Sequence, residues 1–544
     1  MGTIIALGKG SYDGAINLPA GLTLWGACAA ETVLRASVPS TSGGVVTVTS
    51  PGAELRNVAI GGSPRIGVAV AGTGASLHLQ GVVVSDSETS GILIDDGADL
   101  TARELVVRDT RSRSSDRRFG RGLSAERGAR ADATRAVFER NRGICVYVNG
   151  EGSAVRLSEA AVRDTQSLES DGTRGRGLNV GSGASVEVMR AVFERNRSIG
   201  VYASDEGTTL RLSDIVLRDT RGQQSDGTGG RGLNVEFGAN AEVGRGVLEG
   251  NREVAVIARD VATSARLSDV VIRNTQSEES DGTGGRGLAA ENGASVELMR
   301  ALLASNRELG VYAADTSTSL QLADVVIRDT ESQESDGIGG RGLNVVRGAI
   351  TEVMRGVFER NREVGVFADG ASTRVLLSDT LVRDTQSQQS DGRFGRGVDV
   401  QLAASVEVVR GLFSRNRDAG VLAIGEGASG HLSDVVVRDT LEAACVVDSC
   451  PDSTGGSGAV SVLGADLSIT RFALRQAALC GAQVARDAEL DLSHGEVSGN
   501  PIGACIQVEG YDVGRLTAGV ACLDNGSNLE TTTLPVPESA LPPE

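Results

Sequence analysis

Three patterns in the sequence have residue types and spacings suited to chemistry. The first is an acid pair, Asp95-Asp96, closing the run Gly91-Ile-Leu-Ile. Paired carboxylates serve general acid–base work or glycoside hydrolysis when a substrate bond lies between them. The second is a loop recurring as Ser-x-x-Ser-Asp-Gly-x-x-Gly-Arg, which brings Asp171 with Arg176, Asp226 with Arg231, Asp281 with Arg286, Asp336 with Arg341 and Asp391 with Arg396. Asp-Gly suits a tight turn, so one reading is a row of self-satisfied turns linked by exposed ion pairs. The other is a carboxylate ladder for calcium or an arginine ladder for an acidic polymer. The loops match neither the EF-hand spacing nor the nine-residue calcium repeat. The third pattern is a row of outward positions, Ser124, Cys145, Asn179, Tyr202, Asn234, Ile257, Ala289, Tyr312, Asn344, Phe367, Asp399 and Leu422. Aromatic rings stack on sugars and amides bond hydroxyls, which makes Asn179, Tyr202, Asn234, Tyr312, Asn344 and Phe367 the candidate ligand-binding face. The competing reading is that large and small side chains simply pack beside one another along a sheet.

These rows exist because the chain repeats. Arg-Asp-Thr, once Arg-Asn-Thr, places its middle residue at Asp109, Asp164, Asp219, Asn274, Asp329, Asp384 and Asp439, always 55 residues apart. Gly-Arg-Gly around Arg121 to Arg396 and Asn-Arg from Asn141 to Asn416 keep the same step. A fixed period over six or seven copies means a stacked array. Each unit is double: Gly177-Leu-Asn-Val…Ser185-Val-Glu-Val…Ala191-Val-Phe-Glu is echoed from Gly200 to Arg221, and the second half carries the loop as an insertion. Three short alternating segments in about 23 residues are strands, and one such coil cannot bury its own apolar face. The reading is an all-β, single-domain, right-handed parallel β-helix of about nineteen coils with a two-coil, 55-residue repeat. At a strand spacing of about 4.8 Å it would form a rod of roughly 90 Å. The Asn141 to Asn416 series, facing threonines in alternate coils, reads as stacked turn amides. Outward valines such as Val192, Val216 and Val247 would leave an apolar strip on the third segment unless the loop covers it.

Composition narrows the function. A net charge of −18 excludes a basic nucleic-acid binder, 3% aromatics argue against propellers, and no apolar run is long enough for a membrane helix. Capping coils are expected over 1–65, regular coils with side loops over 66–440, Cys-containing coils over 441–525 and a disordered Thr/Pro-rich tail over 526–544. Cys445 and Cys450 bracket a short loop, and Cys480 and Cys505 lie one coil apart, so these four are the disulfide candidates. That cysteine usage points to an extracellular or cell-surface location, with any signal segment absent from the numbered chain.

The opening Gly2-Thr-Ile-Ile-Ala-Leu-Gly-Lys-Gly-Ser-Tyr-Asp-Gly…Leu18-Pro-Ala-Gly-Leu-Thr-Leu-Trp-Gly-Ala resembles the first coil of pectin-lyase-like right-handed β-helix proteins, and the later Gly-[Leu/Val]-x-[Val/Ala] coils resemble the same superfamily. The Cys28-containing start and the lone lysine, Lys9, also look like surface proteins of GC-rich bacteria such as myxobacteria. The resemblance implies that ligand lies on the sheet formed by the first segment of each coil. That superfamily contains lyases, hydrolases and adhesins, so it specifies fold more than activity. One active site in a repeat must break the repeat. The breaks are Asp95-Asp96 and the scattered His78, His431 and His494, and the catalytic constellations of the family's enzymes are not found. The expectation is a non-catalytic rod that binds a glycan or another surface molecule, or serves as an adhesive or structural spacer, with no cofactor or metal; calcium at the loop aspartates is the alternative there. The alternative is a polysaccharide lyase or glycoside hydrolase with Asp95 and Asp96 as its acids.

Overall fold

Period-2 alternation decides which side chains point inward. The repeat that begins at Arg176 holds the strands Arg176–Gly181, Ser185–Glu194, Ile199–Ser204 and Thr209–Arg218. In the first of these Leu178 and Val180 are fully buried. The ten-residue strands are two segments hinged at one residue in the left-handed region, Arg190 at φ 52° and Asp214 at φ 54°. Val186, Val188, Ala191 and Phe193 face the interior on either side of the hinge. Each coil therefore has three strand segments, as the alternation implies. Pairing is parallel and skips one strand, so short strands stack on short ones and long on long: Asn179 opposite Tyr202 opposite Asn234, and Val186 opposite Leu210 opposite Ala241.

The chain, in this computed structural model, is described over residues 3–38, 43–445, 455–531, 533–534 and 536–540. Its contacts divide it into two units, residues 1–270 with 278–280 and residues 271–277 with 281–544. Each is a parallel β-helix in itself, with ten short strands among the described residues. Right-handed winding is the sense that parallel crossovers adopt. One interior column of the first unit runs Phe138, Val162, Phe193, Leu217; one in the second runs Phe358, Val382, Phe413. These rings are all fully buried. Rings in successive coils about 4.8 Å apart would crowd one another, so aromatic and aliphatic residues alternate.

Two side-chain ladders hold the coil corners. In the first, Asn196 accepts from the backbone N–H and hydroxyl of Thr165 at 3.3 and 2.6 Å and donates to the Val162 carbonyl at 3.1 Å. The same set recurs at Asn251 and, in the second unit, at Asn361 and Asn416. The ladder stands where polar backbone would otherwise be buried without partners. The second ladder was not anticipated. The hinge residues of successive coils are Glu104, Arg135, Glu159, Arg190, Asp214 and Arg245, all at positive φ. Acid and arginine pair across coils, as Arg245 does on Asp214 at 2.6 and 2.8 Å and Arg410 on Asp379 at 2.5 and 2.8 Å. Gly81 fills the hinge in an earlier coil at φ 61°.

The C-terminal segment corrects the expectation of a disordered tail over 526–544. Ser527–Glu530 is a strand paired with Ile502–Gln507. Beyond it the chain turns back along the short-strand face of its own unit. Gln507 donates to the Leu534 carbonyl at 2.6 Å, and Val536 packs on Leu422, Val460 and Ala485. Ala540 packs on Val364, Phe367 and Phe394. The segment is too poor in apolar residues to form its own core, but it needs only a few when an existing face receives them. Residues 541–544 lie outside the described residues.

Candidate functional site

The outward row of the short strands is the natural place for a ligand, and its register differs from the expected one at a single point. In the first unit the paired positions are Ser124, Tyr147, Asn179, Tyr202, Asn234 and Ile257. Tyr147, not Cys145, belongs to the row. Cys145 occupies the glycine position of its coil, buried, and receives a hydrogen bond from Asn141. In the second unit the row runs Ala289, Tyr312, Asn344, Phe367, Asp399 and Leu422.

The row is not an open platform. Tyr202 and Tyr312 are 8% exposed and Asn234 and Phe367 are 0%; Asn179 and Asn344 are buried too. The arginine that opens every second short strand covers them. Arg176 donates to Asn179 at 2.6 Å and lays its guanidinium 3.9 Å from the Tyr202 ring. Arg121 sits 3.6 Å from Tyr147, Arg286 4.6 Å from Tyr312 and Arg341 4.0 Å from Phe367. The aromatic faces expected to meet sugar rings are occupied by cations. Tyr202 donates to Glu236, and burial followed by that bond pushes its hydroxyl up to about 12.

The loop ladder separates into two rows, which corrects the expected acid–base pairing. The aspartates close their own turns: Asp171 accepts from the N–H and hydroxyl of Thr173 at 3.0 and 2.7 Å, and Asp226 and Asp281 do the same with Thr228 and Thr283. Asp336 holds the Ile338 N–H and Asp391 the Arg393 N–H, each at 2.9 Å. Arg176, Arg231, Arg286, Arg341 and Arg396 leave the loop for the short-strand face. The loops themselves stack through backbone bonds, Ser225 to Gly172 in the first unit and Ser335 to Gly282 in the second.

Charge balance along the arginine row is uneven. The residue that follows each arginine by 22 is Gly143, Ser198, Glu253, Glu308, Glu363 and Asp418 in turn. Arg231 reaches Glu253 at 2.6 Å, Arg286 reaches Glu308 at 2.7 Å, and Arg396 reaches Asp418 at 2.5 Å. Burial works to lower Arg286 and Arg396, and their acids outweigh it, so both end above the ordinary value. Arg176 faces Ser198. Burial lowers it, and its Nε is buried with no hydrogen-bond partner. Arg121 faces Gly143 and pairs instead with Glu126 at 2.7 Å, on its own strand. Beside Gly143 lies a cavity of about 230 Å³ between Arg118, Phe119, Arg121, Leu168 and Arg174.

Asp95 and Asp96 do come together, under one arginine. Arg127 donates to Asp96 at 2.7 Å and also to Asp95, whose carboxyl is raised by burial against the pull of that cation. Among the described residues no three His, Cys, Asp or Glu side chains assemble into a metal-holding group. Cys480 and Cys505 are joined in a disulfide with their Cα atoms 6.1 Å apart. The Cys445–Cys450 expectation reaches outside the described residues, because Cys450 is not among them. The apolar strip is present in the first unit as Val106, Val137, Ala161, Val192 and Val216, paired in register and half-buried.

No family model matches the chain, and no curated protein matches it; the likeness to surface proteins of GC-rich bacteria therefore has no match behind it. Solved structures of β-helix proteins do align. A mutant of the PL6 family alginate lyase AlyGC is 11% identical over 97% of both chains at a TM-score of 0.32. The periplasmic alginate epimerase AlgG is 10% identical over 82% of this chain and 78% of its own, at 0.28. PfbA, a surface adhesin of Streptococcus pneumoniae, is 9% identical over 74% and 83%, at 0.24. At these scores the architecture rests on the strand pairing above and not on the neighbours. No helix among the described residues is long and apolar enough to cross a membrane.

Proposed function

We propose that the chain is a non-catalytic, extracellular or surface-exposed binding protein, and that its binding stretch is the short-strand face around Arg121, Tyr147, Arg176 and Tyr202. The ligand on this reading is an extended molecule that carries carboxylates, an acidic glycan or a surface partner. The observation that carries the reading is the missing acid at Arg176, which faces Ser198 where the sister copies supply glutamate or aspartate and whose Nε has no hydrogen-bond partner among the described residues. A half-buried guanidinium whose inward N–H lacks an acceptor is unfavourable, and an incoming carboxylate supplies what the sequence withholds there. The whole-chain charge of −18 opposes an anionic ligand at long range. At contact distance the local arginines decide, since solvent and salt screen the rest beyond about 8 Å. The Cys480–Cys505 disulfide supports an oxidising compartment.

The test is Ser198→Glu, which converts this copy to its sisters. Binding of the intact chain to an array of acidic and neutral glycans, with and without calcium, is read together with the release of unsaturated or reducing ends. Binding to acidic members that falls at least tenfold in the variant, without product, supports the reading. Product release removes the non-catalytic assignment, and binding indifferent to Ser198→Glu removes the site.

A further inference from the structure

We infer that the Arg118–Arg121 loop docks an acidic peptide segment, with a glutamate carboxylate in the cavity beside Gly143 and a small apolar residue two positions later against Phe119. The inference rests on the anion-accepting face proposed above and names a partner class for its first copy.

The molecule contains one occupied example of such a loop. Phenylalanine stands in the repeated loop at two places: Arg117-Arg118-Phe119-Gly120-Arg121 in the first copy and Gly392-Arg393-Phe394-Gly395-Arg396 in the sixth. The four copies between have Arg174 or glycine at that position. In the sixth copy the loop holds the chain's own C-terminal segment, Pro537-Glu538-Ser539-Ala540. Arg393 pairs with the Glu538 carboxylate, Arg396 donates to the Glu538 carbonyl at 2.6 Å, and Ala540 packs on Phe394 and Phe367. Ser539 bonds Gln401 at 2.5 Å, and Arg341 donates to the Ala540 carbonyl at 2.7 Å. This is recognition of an acidic, proline-containing segment through backbone carbonyls, one carboxylate and one small apolar side chain.

The first copy has the same parts, and no segment among the described residues lies over them as residues 537–540 lie over the sixth. Arg118 stands for Arg393, Phe119 for Phe394 and Arg121 for Arg396, while Leu93 and Tyr147 stand for Phe367 and Leu422. Phe394, Phe367 and Leu422 are buried; Phe119, Leu93 and Tyr147 are half-buried and Arg118 is exposed. Arg396 is neutralised by Asp399 and Asp418, whose counterparts are Ser124 and Gly143. Arg121 pairs instead with Glu126, so the cation left for an external carboxylate is Arg118, the counterpart of Arg393. The first copy's own acids are engaged: Asp116 by Arg113, Asp171 by Thr173 and Glu126 by Arg121. Arg118 makes no ion pair among the described residues. One clamp is missing, since Ile66 takes the place of Arg341 in the row, so the intermolecular complex is weaker than the internal one.

The probe is a labelled peptide of residues Thr531 to Glu544, titrated into the intact chain, where the sixth loop is already filled. A segment held in its own chain experiences an effective concentration on the order of 1 mM, so the titration extends to about that value. Saturable binding is expected, at least tenfold weaker with the Arg118→Ala/Phe119→Ala chain and tenfold weaker with a Glu538→Gln peptide. Absence of saturable binding overturns the inference. So does binding indifferent to both changes, or binding that appears only after residues 531–544 are deleted, which places the peptide at the sixth loop. An acidic oligosaccharide run in parallel separates the two readings: sugar bound and lost in Ser198→Glu, with the peptide silent, removes the peptide partner and leaves the face.

Discussion

The short-strand face from Arg341 to Ile424 and the one from Ser90 to Ser204 are built by the same repeat and reach opposite states. In the second unit every arginine has its acid, and the C-terminal segment lies over Phe367 and Leu422. In the first, Arg121 and Arg176 lack the acid from the following coil, and Leu93 and Tyr147 stay partly in water. A stacked array fixes backbone and core by repetition, so a function is written into it by withholding a residue as readily as by adding one. The closed face shows what the open face is equipped to receive.

The largest test of that contrast removes an acid from the closed face. Asp418→Ser leaves Arg396, 1% exposed, with Asp399 alone. Breaking a buried pair typically costs about 3–5 kcal/mol. Hydrogen exchange in Arg396–Gln401 and Ala419–Ile424 should accelerate accordingly, while Arg121–Glu126 is unchanged. Exchange is the right probe because a chain of two units need not unfold in one transition. Equal protection in mutant and parent would mean that the acids of the closed face are dispensable, and the contrast would lose its electrostatic basis.

Deleting residues 531–544 comes next. It removes Val536 and Ala540 from their packing and takes away the carbonyl acceptors of Arg341 and Arg396. Val536 is partly buried and Ala540 adds one methyl group, so at about 0.8 kcal/mol per buried carbon group the two together contribute roughly 1–2 kcal/mol. Exchange should rise over Val364–Asp369 and Ala419–Ile424 by a corresponding factor. Unaltered protection there would show that the segment covers the face without stabilising it.

Much of this was legible in the residues. The 55-residue step and the alternation of Leu178, Val180, Val186, Val188 and Phe193 give the coil, because repetition and side-chain direction are local properties. The Asn–Thr ladder and the Cys480–Cys505 link follow from one-coil spacing. The hinge ladder carries the same signal, arginine at 135, 190, 245, 300, 355 and 410 and acid at 104, 159, 214, 269, 324, 379 and 434. A charged residue inside a strand has the pattern of ordinary surface, so the row does not stand out in the sequence. The Cys145 phase slipped because cysteine replaces glycine there and breaks the Gly-x-Val-x frame. What no local pattern reveals is cover. The burial of Tyr202 depends on an arginine 26 residues away, and that of Phe394 on a segment more than a hundred residues later.

Ser198→Glu is a smaller perturbation of stability than the first two and acts in the opposite sense. The left-handed backbone is no obstacle, since Ser198 already sits at φ 58° and Glu253, Glu308 and Glu363 hold the same corner at φ 55–59°. The new carboxylate supplies the partner that burial denies Arg176. A charge-assisted bond of this kind contributes about 1.5–3 kcal/mol before the cost of burying the new acid, so a net gain near 1 kcal/mol is expected in urea unfolding of the first unit. A loss of stability would indicate that Arg176 already has an adequate partner.

The smallest expected effect is shared by both regions and serves as the control. Hydrogen bonds from Arg245, Arg355, Arg410 and Arg471 hold Asp214, Asp324, Asp379 and Asp434 below the ordinary carboxylate value. A carboxyl whose folded pKa is depressed contributes stability above its unfolded value, near 3.9, and loses it as pH falls through the lower folded value. The loss therefore begins below about pH 4 and affects each unit through the same hinge row. These pairs are fully exposed and screened, so Arg245→Gln, compared with the parent at pH 6 and pH 3, should narrow the difference between the two pH values only slightly. Should the second unit instead unfold at pH 3 while the first persists, the buried Asp399 beside Arg396 would be the titrating element, and the closed face would owe its state to an ionised acid more than to the segment that covers it.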